Sequence, residues 1–216
     1  MASIQELLSN AEKLATVHLV VASYNITWDN GRLRGGKRRQ HERTLEEDLR
    51  TAIESFHADV VLLQECGEIE QGLDVKPWLA LVRKICGPGF LVTHQSHYTS
   101  IVKSTVAVLA GPSLQGPLTT FPGHAYRMCQ HMRVAFKGSS DECIDIYSVH
   151  SPASQKRPLI PTVREHILKW FVDNAGSRAL IVGDLNSSVH SLTACFGRRS
   201  NIEYSTSSNL ITSMVI

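Results

Sequence analysis

Three apolar runs in the 216-residue chain end in polar side chains that a buried strand does not need: Ser23-Tyr24-Asn25, Gln64-Glu65 and Gly183-Asp184-Leu185-Asn186. A fourth run, Tyr147-Ser148-Val149, ends in His150. Ligand sites in layered sheets gather at strand ends. An asparagine, a glutamate and an Asp/Asn pair supply hard oxygen donors, a set suited to Mg2+ or Mn2+ rather than to zinc. An imidazole beside them adds a group that can transfer a proton or stabilise charge developing in a transition state. Singly, each residue has a plainer use: Glu65 as a solvated strand end, Asn25 as a turn former, His150 as a satisfied polar group. Together, on separate strand ends, they match the division of labour of a metal-assisted hydrolase.

Such a set must be positioned by strands and helices, and the apolar spacing supplies them. Residues 4–14 carry apolar side chains at helical spacing after Ser3, predicting a short lead-in helix over 1–16. Val17–Ile26 reads as a buried strand delivering Asn25 at its tip. The stretch Trp28–Arg43 holds three glycines and six Arg/Lys residues and reads as a basic, solvated loop. Leu45, Leu49, Ala52, Ile53 and Phe56 share one helical face, and the strand Asp59–Glu65 follows at once. A second helix is expected around Trp78–Ile85, then three strands over Ser100–Ala110, His131–Phe136 and Cys143–His150. Pro161–Ala175 is the best-patterned helix, with Pro161 near its first turn and Gly176 as its stop. Arg178–Gly183 gives one more buried strand; from Ser187 to Ile216 no strand and helix pair is evident. Strands interspersed with helices predict an α/β or α+β layered fold.

Composition bounds the reading. At 43% apolar residues the chain can bury one domain core. Twenty-two basic against 20 acidic residues leave a net charge of +2, so any attraction to polyanions must be local. Cys66, Cys86, Cys129, Cys143 and Cys195 are odd in number and form no C-x-x-C pair, which predicts reduced thiols and argues against a zinc site. No apolar run near the N-terminus is long enough for a signal or a membrane span, so an intracellular protein is expected, its compartment and oligomeric state open.

The segments ASYNI at 22–26, DVVLLQE at 59–65, STVAVL at 104–109, IYSVHSP at 146–152 and IVGDLN at 181–186 resemble the endonuclease/exonuclease/phosphatase superfamily, DNase I-like proteins, over roughly residues 17–190. The LLQE and GDLN motifs are the specific part. The resemblance implies a four-layered α/β/β/α sandwich and hydrolase activity. It places Asn25 and Glu65 near a divalent metal, with Asp184 and Asn186 orienting a nucleophilic water and the phosphate. His150 matches a strand-end histidine that contacts the scissile phosphate. Tyr98 matches an aromatic substrate contact, its plainer reading being a partly exposed loop tyrosine; Arg127 or Arg133 could meet phosphate. A nucleic acid is the expected substrate, with the basic loop and Lys156 and Arg157 as further phosphate contacts.

The pattern breaks after Asn186. Members of the superfamily continue through a strand resembling S-R-I-D-Y to an S-D-H motif whose Asp and His form the general-base pair. Here Ser200-Asn-Ile-Glu-Tyr204 echoes that strand faintly, no Asp-His follows, and His190 does not stand at its position. The expectation is a truncated sandwich lacking its last strands, with 191–216 an irregular tail and activity impaired unless another group supplies the base. Two alternatives stay open: a non-catalytic binding scaffold or gene fragment, and a phosphatase or phospholipid phosphodiesterase built on the same metal core.

Overall fold

The structure, a computed structural model, describes residues 19–26, 46–66, 76–118, 128–135, 142–151, 160–176, 178–185, 203–206 and 212–215. The lead-in helix, the basic loop, Arg127, Lys156, Arg157, Asn186 and His190 lie outside the described residues. Val21–Asn25 (β1) and Val60–Gln64 (β2) run parallel, in register from Val21↔Val60 to Asn25↔Gln64. A parallel pair needs a crossover connection, and helical residues 46–55 (α1) lie in that connection. The helix widens to a π turn over Thr51–Ser55, with the Phe56 N–H donating to the Thr51 carbonyl at 3.1 Å. That widening rotates Phe56 off the apolar face on which its spacing would put it, and it is 66% exposed.

Lys76–Cys86 (α2) leads into a hairpin, Phe90–Gln95 (β3) and Tyr98–Lys103 (β4). Its turn is made by Ser96 at φ 52°, without the glycine or Asn-Gly that would announce it. The single strand expected over Ser100–Ala110 is in fact two. Val106 N–H bonds the Lys103 carbonyl in a tight turn, and the chain passes from β4 to Ala107–Gln115 (β5) in the other sheet. Cys129–Ala135 (β6), Cys143–His150 (β7), Ile160–Asn174 (α3) and Ala179–Asp184 (β8) follow. β7 and β8 form the second parallel pair, joined through α3, in register from Asp145↔Ala179 to His150↔Asp184.

The first sheet has the order β1-β2-β4-β3 and the second β5-β6-β7-β8-β10-β9. Glu203–Thr206 (β9) and Thr212–Val215 (β10) fall within 191–216, where the sequence pattern shows no strand. β10 pairs antiparallel with β8, from Thr212↔Gly183 to Val215↔Leu180. β10 thereby covers the edge of β8 that a sandwich without its last strands would leave open.

Three cores separate the layers. Leu49, Val82 and Ile85 of α1 and α2 pack on Val61, Leu63 and Ile101 of the first sheet. Val163, Ile167 and Phe171 of α3 pack on Tyr147, Val149 and Ile181 of the second. Val60, Leu62, Val102, Met132, Val134, Ile146 and Val182 fill the space between the sheets. The architecture is the expected α/β/β/α sandwich. Cys66, Cys86, Cys129 and Cys143 are free thiols.

Near the start of β7, Asp145 accepts from Arg133 Nε and Nη2 at 2.9 and 2.8 Å and meets His131 Nε2 at 2.7 Å. Burial alone would raise this carboxyl, but the hydrogen bonds and charges of Arg133 and His131 outweigh it and hold Asp145 below its ordinary value. A depressed carboxyl contributes stability that is complete above the unfolded-state value and lost as pH falls through the folded one. Asp145→Asn should therefore lower stability at neutral pH by about 1.5–3 kcal/mol. It should also flatten the loss of stability below about pH 4; urea midpoints across pH check both.

Candidate functional site

Because β1 and β2 are parallel, as are β7 and β8, each pair ends its two strands side by side, and the two ends face each other across the sheets. Asn25 closes β1, Glu65 follows β2, and His150 and Asp184 close β7 and β8. Asn25 Nδ2 donates to Glu65 Oε1 at 3.1 Å and to Asp184 Oδ2 at 2.9 Å, one amide bridging carboxylates from both sheets. His150 Nε2 lies 2.8 Å from Glu65 Oε1. Four residues separated by up to 159 positions thus form one hydrogen-bonded group.

Two backbone features shape it. Gly183 sits at φ 131°, and a side chain there would overlap the Val149 carbonyl, so glycine lets β8 lie against β7 and bring Asp184 beside His150. Glu65 adopts φ 56°, a left-handed conformation that costs a non-glycine residue about 1–2 kcal/mol. The chain turns out of β2 at that residue, and such strain collects at functional sites.

Other predicted residues are placed differently. Tyr98 is 4% exposed; its hydroxyl donates to the Met128 carbonyl at 2.8 Å and accepts from the His150 N–H at 3.2 Å. It fixes the end of β7 through the backbone instead of presenting its hydroxyl outward as a substrate contact would. Arg133 is not brought to the group. It is committed to Asp145, five residues before His150 on β7, about 16 Å along a strand at ~3.3 Å per residue. Asn186 and Arg127 lie outside the described residues.

The sequence reading missed Arg164. The crossover from β7 to β8 puts the start of α3 at the end of the sheet where His150 and Asp184 sit. Arg164, in the first turns of α3, is partly buried there; burial lowers its guanidinium from the ordinary value while the charge of Asp184 raises it. Nothing in the helical pattern separates it from a solvated cation; only the crossover places it. Cys66, next to Glu65, offers no nucleophile: burial pushes its thiol up to about 12, and the hydrogen bonds with Thr99 offset only part of this.

Among the described residues, no three His, Cys, Asp or Glu side chains form a ready-made metal cluster. The donor chemistry nonetheless suits a hard divalent cation: two carboxylates from opposite sheets converge on one neutral amide.

By sequence the chain matches no protein-family model and no curated protein. Solved structures do match. TDP2 from D. rerio, complexed with a single-strand DNA product, superposes with a TM-score of 0.58 at 14% identity, over 91% of this chain and 83% of that one. A mannosyl-6-phosphatase of Bacteroides thetaiotaomicron gives 0.62 at 14% identity over 92% and 85%. An endonuclease/exonuclease/phosphatase family protein of the same bacterium gives 0.63 at 12% identity over 91% and 82%. Agreement of this extent at such low identity is a likeness of fold.

Gly183→Ala should lower stability by at least about 3 kcal/mol, since the added methyl meets backbone that cannot rotate away. Chemical denaturation of the variant beside a Gly87→Ala control, whose added methyl meets open space, separates this overlap from the cost of a positive φ alone.

Proposed function

We propose that this chain, which has the DNase I-like fold of the endonuclease/exonuclease/phosphatase superfamily, is a metal-dependent phosphodiester hydrolase acting on nucleic acid at the group formed by Asn25, Glu65, His150 and Asp184. The observation that carries the reading is the bridge from Asn25 to carboxylates of both sheets, with His150 on one of them. A phosphodiester is anionic and repels hydroxide, so hydrolysis needs positive charge on the phosphate oxygens and a base that takes the water's proton as it attacks. Asn25 and Glu65 would hold Mg2+ or Mn2+, which when bound neutralises a non-bridging phosphate oxygen. Asp184 orients the water and accepts its proton, and Asn186, two residues on in the sequence, is assigned to the phosphate. His150, beside Glu65, is the group that would stabilise the charge that grows on the phosphorus oxygens as the water oxygen bonds to phosphorus and the ester bond breaks. The leaving oxygen takes its proton from solvent. Arg164 contributes a second cation at the same end, suited to an adjacent phosphate.

The six Arg/Lys residues of Trp28–Arg43, with Lys156 and Arg157, supply cations for flanking phosphates. The single-strand DNA product bound by the D. rerio protein supports a nucleic-acid substrate. The mannosyl-6-phosphatase with the same fold favours a second reading, a phosphatase for smaller phosphoesters.

Supercoiled plasmid, a single-stranded oligonucleotide, a generic phosphodiester and a sugar phosphate, each with Mg2+, Mn2+ or EDTA, test this. The expected outcome is cleavage of the nucleic acids that EDTA abolishes and that Glu65→Ala and Asp184→Ala each lower by at least about 100-fold. Turnover of the sugar phosphate alone would select the second reading, and no turnover by folded protein would overturn both. Arg164→Ala should raise KM for the oligonucleotide by about tenfold, roughly 1.4 kcal/mol, with kcat changed less; steady-state kinetics read the split.

A further inference from the structure

Between the sheets, side chains on alternate positions change character along the strands. At one end Val60 and Leu62 of β2, Ile146 of β7 and Val21 of β1 are apolar. At the other end stand Asn25, His150 and Asp184. The layer between them is polar and buried: Ser23 at 3% exposure, Gln64, Ser100 and Ser148 at 0–1%, and Gln130 at 1%. On strands of period two, Ser23 is the next inward position below Asn25, and Ser148 the next below His150. Gln64 directly precedes Glu65.

Gln64 joins these strands. Its Nε2 lies 2.9 Å from Ser23 Oγ on β1, 2.8 Å from Ser148 Oγ on β7 and 3.2 Å from the Leu62 carbonyl. An amide nitrogen has two hydrogens, so the two hydroxyls are its best partners. Its Oε1 is buried and has no protein partner, as is true of Ser100 Oγ and both amide atoms of Gln130. A buried amide with half its hydrogen-bonding capacity unmet costs stability, whereas an apolar side chain, as at Leu62 and Val60, would pack there without that cost. Gln64 is therefore poorly explained as a contributor to the fold. It does link, in one group, the strands that carry Asn25, Glu65 and His150, beneath the residue whose backbone is turned to φ 56°.

We propose that Gln64 is a positioning residue: from the buried layer beneath the site it ties β1, β2 and β7 together and sets the spacing of Asn25, Glu65 and His150. This rests on the phosphodiester-hydrolase reading for its catalytic consequence, but not for its effect on the geometry of the carboxylate group.

The test compares the wild-type chain with Gln64→Met and Gln64→Leu, which keep approximate volume and remove the amide. A Ser23→Ala/Ser148→Ala pair removes its acceptors instead. Three quantities are read: the urea unfolding midpoint, kcat and KM on a phosphodiester that the wild type cleaves, and Mn2+ affinity from the free-ion EPR signal. The expected result for Gln64→Met is an unfolding midpoint unchanged or raised, kcat down ten- to a hundredfold, KM within about twofold, and Mn2+ affinity reduced severalfold, with the Ser pair reproducing the kinetic loss. Retained kcat and Mn2+ affinity in Gln64→Met would overturn the proposal. So would a midpoint lowered in step with activity in every variant, because that marks a role in the fold alone. If the wild type cleaves no phosphoester, the hydrolase reading fails on that observation, and the Mn2+ affinities alone decide the positioning role. If Gln64→Met does not fold, the Ser pair decides in its place.

Discussion

One amide holds the arrangement together. Asn25 donates to a carboxylate of its own sheet and to one of the facing sheet, and this is possible only because two parallel strand pairs end at the same place. Each pair exists because a helical connection carries the chain back to start the second strand in the same direction. Gly183 removes the side chain that would keep β8 off the Val149 carbonyl, and Tyr98 pins the His150 backbone from the first sheet. Glu65 leaves β2 in a left-handed turn. Polar strand ends, crossover helices, one glycine and one strained residue thus serve a single geometric requirement, four side chains within hydrogen-bonding reach.

That requirement opposes stability. The apolar layer between the sheets, from Val60 to Val182, contributes to folding in the ordinary way, at roughly 25 cal/mol per Å2 of apolar surface buried. Toward the site the same inward positions become Ser23, Gln64, Ser100, Gln130 and Ser148, several with buried atoms lacking a protein partner. A buried polar atom left without any partner costs about 1–3 kcal/mol, and the left-handed Glu65 adds about 1–2 kcal/mol. Proteins that concentrate strain and unmet polar groups in one place do so at functional sites. The Asp145 cluster, at the other end of β7, is the contrasting case: its carboxylate is met by Arg133 and His131, and it holds the fold rather than a substrate.

Much of this was legible in the sequence. The ends of β1, β2, β7 and β8 stood out because polar side chains close runs that are otherwise apolar, and the structure brings Asn25, Glu65, His150 and Asp184 together. Local features escaped. The turn at Ser96 carries no glycine signal, so β3 went unseen, and the tight turn after Lys103 divides one apolar run between two sheets. The π turn in α1 displaces Phe56 from a face that regular spacing assigns to it. β9 and β10 are four residues each and are defined by pairing onto β8 instead of by their own pattern. Tyr98 and Arg133 were named through the family resemblance, and a matching position does not reveal that a hydroxyl is used by backbone or a guanidinium by a neighbouring carboxylate. Arg164 was missed for the converse reason, since only the crossover brings the start of α3 to the site.

The fold is proposed to bring Asn25 and Glu65 together as a divalent-cation centre beside Asp184. Crystals of the protein soaked in Mn2+ and measured at the manganese absorption edge test it most directly. One dominant anomalous peak in contact with Glu65 and the Asn25 side chain, absent from Glu65→Gln crystals, is the expected result. Anomalous peaks confined to other acidic surfaces, with the Asn25 amide still bridging Glu65 and Asp184, would contradict it.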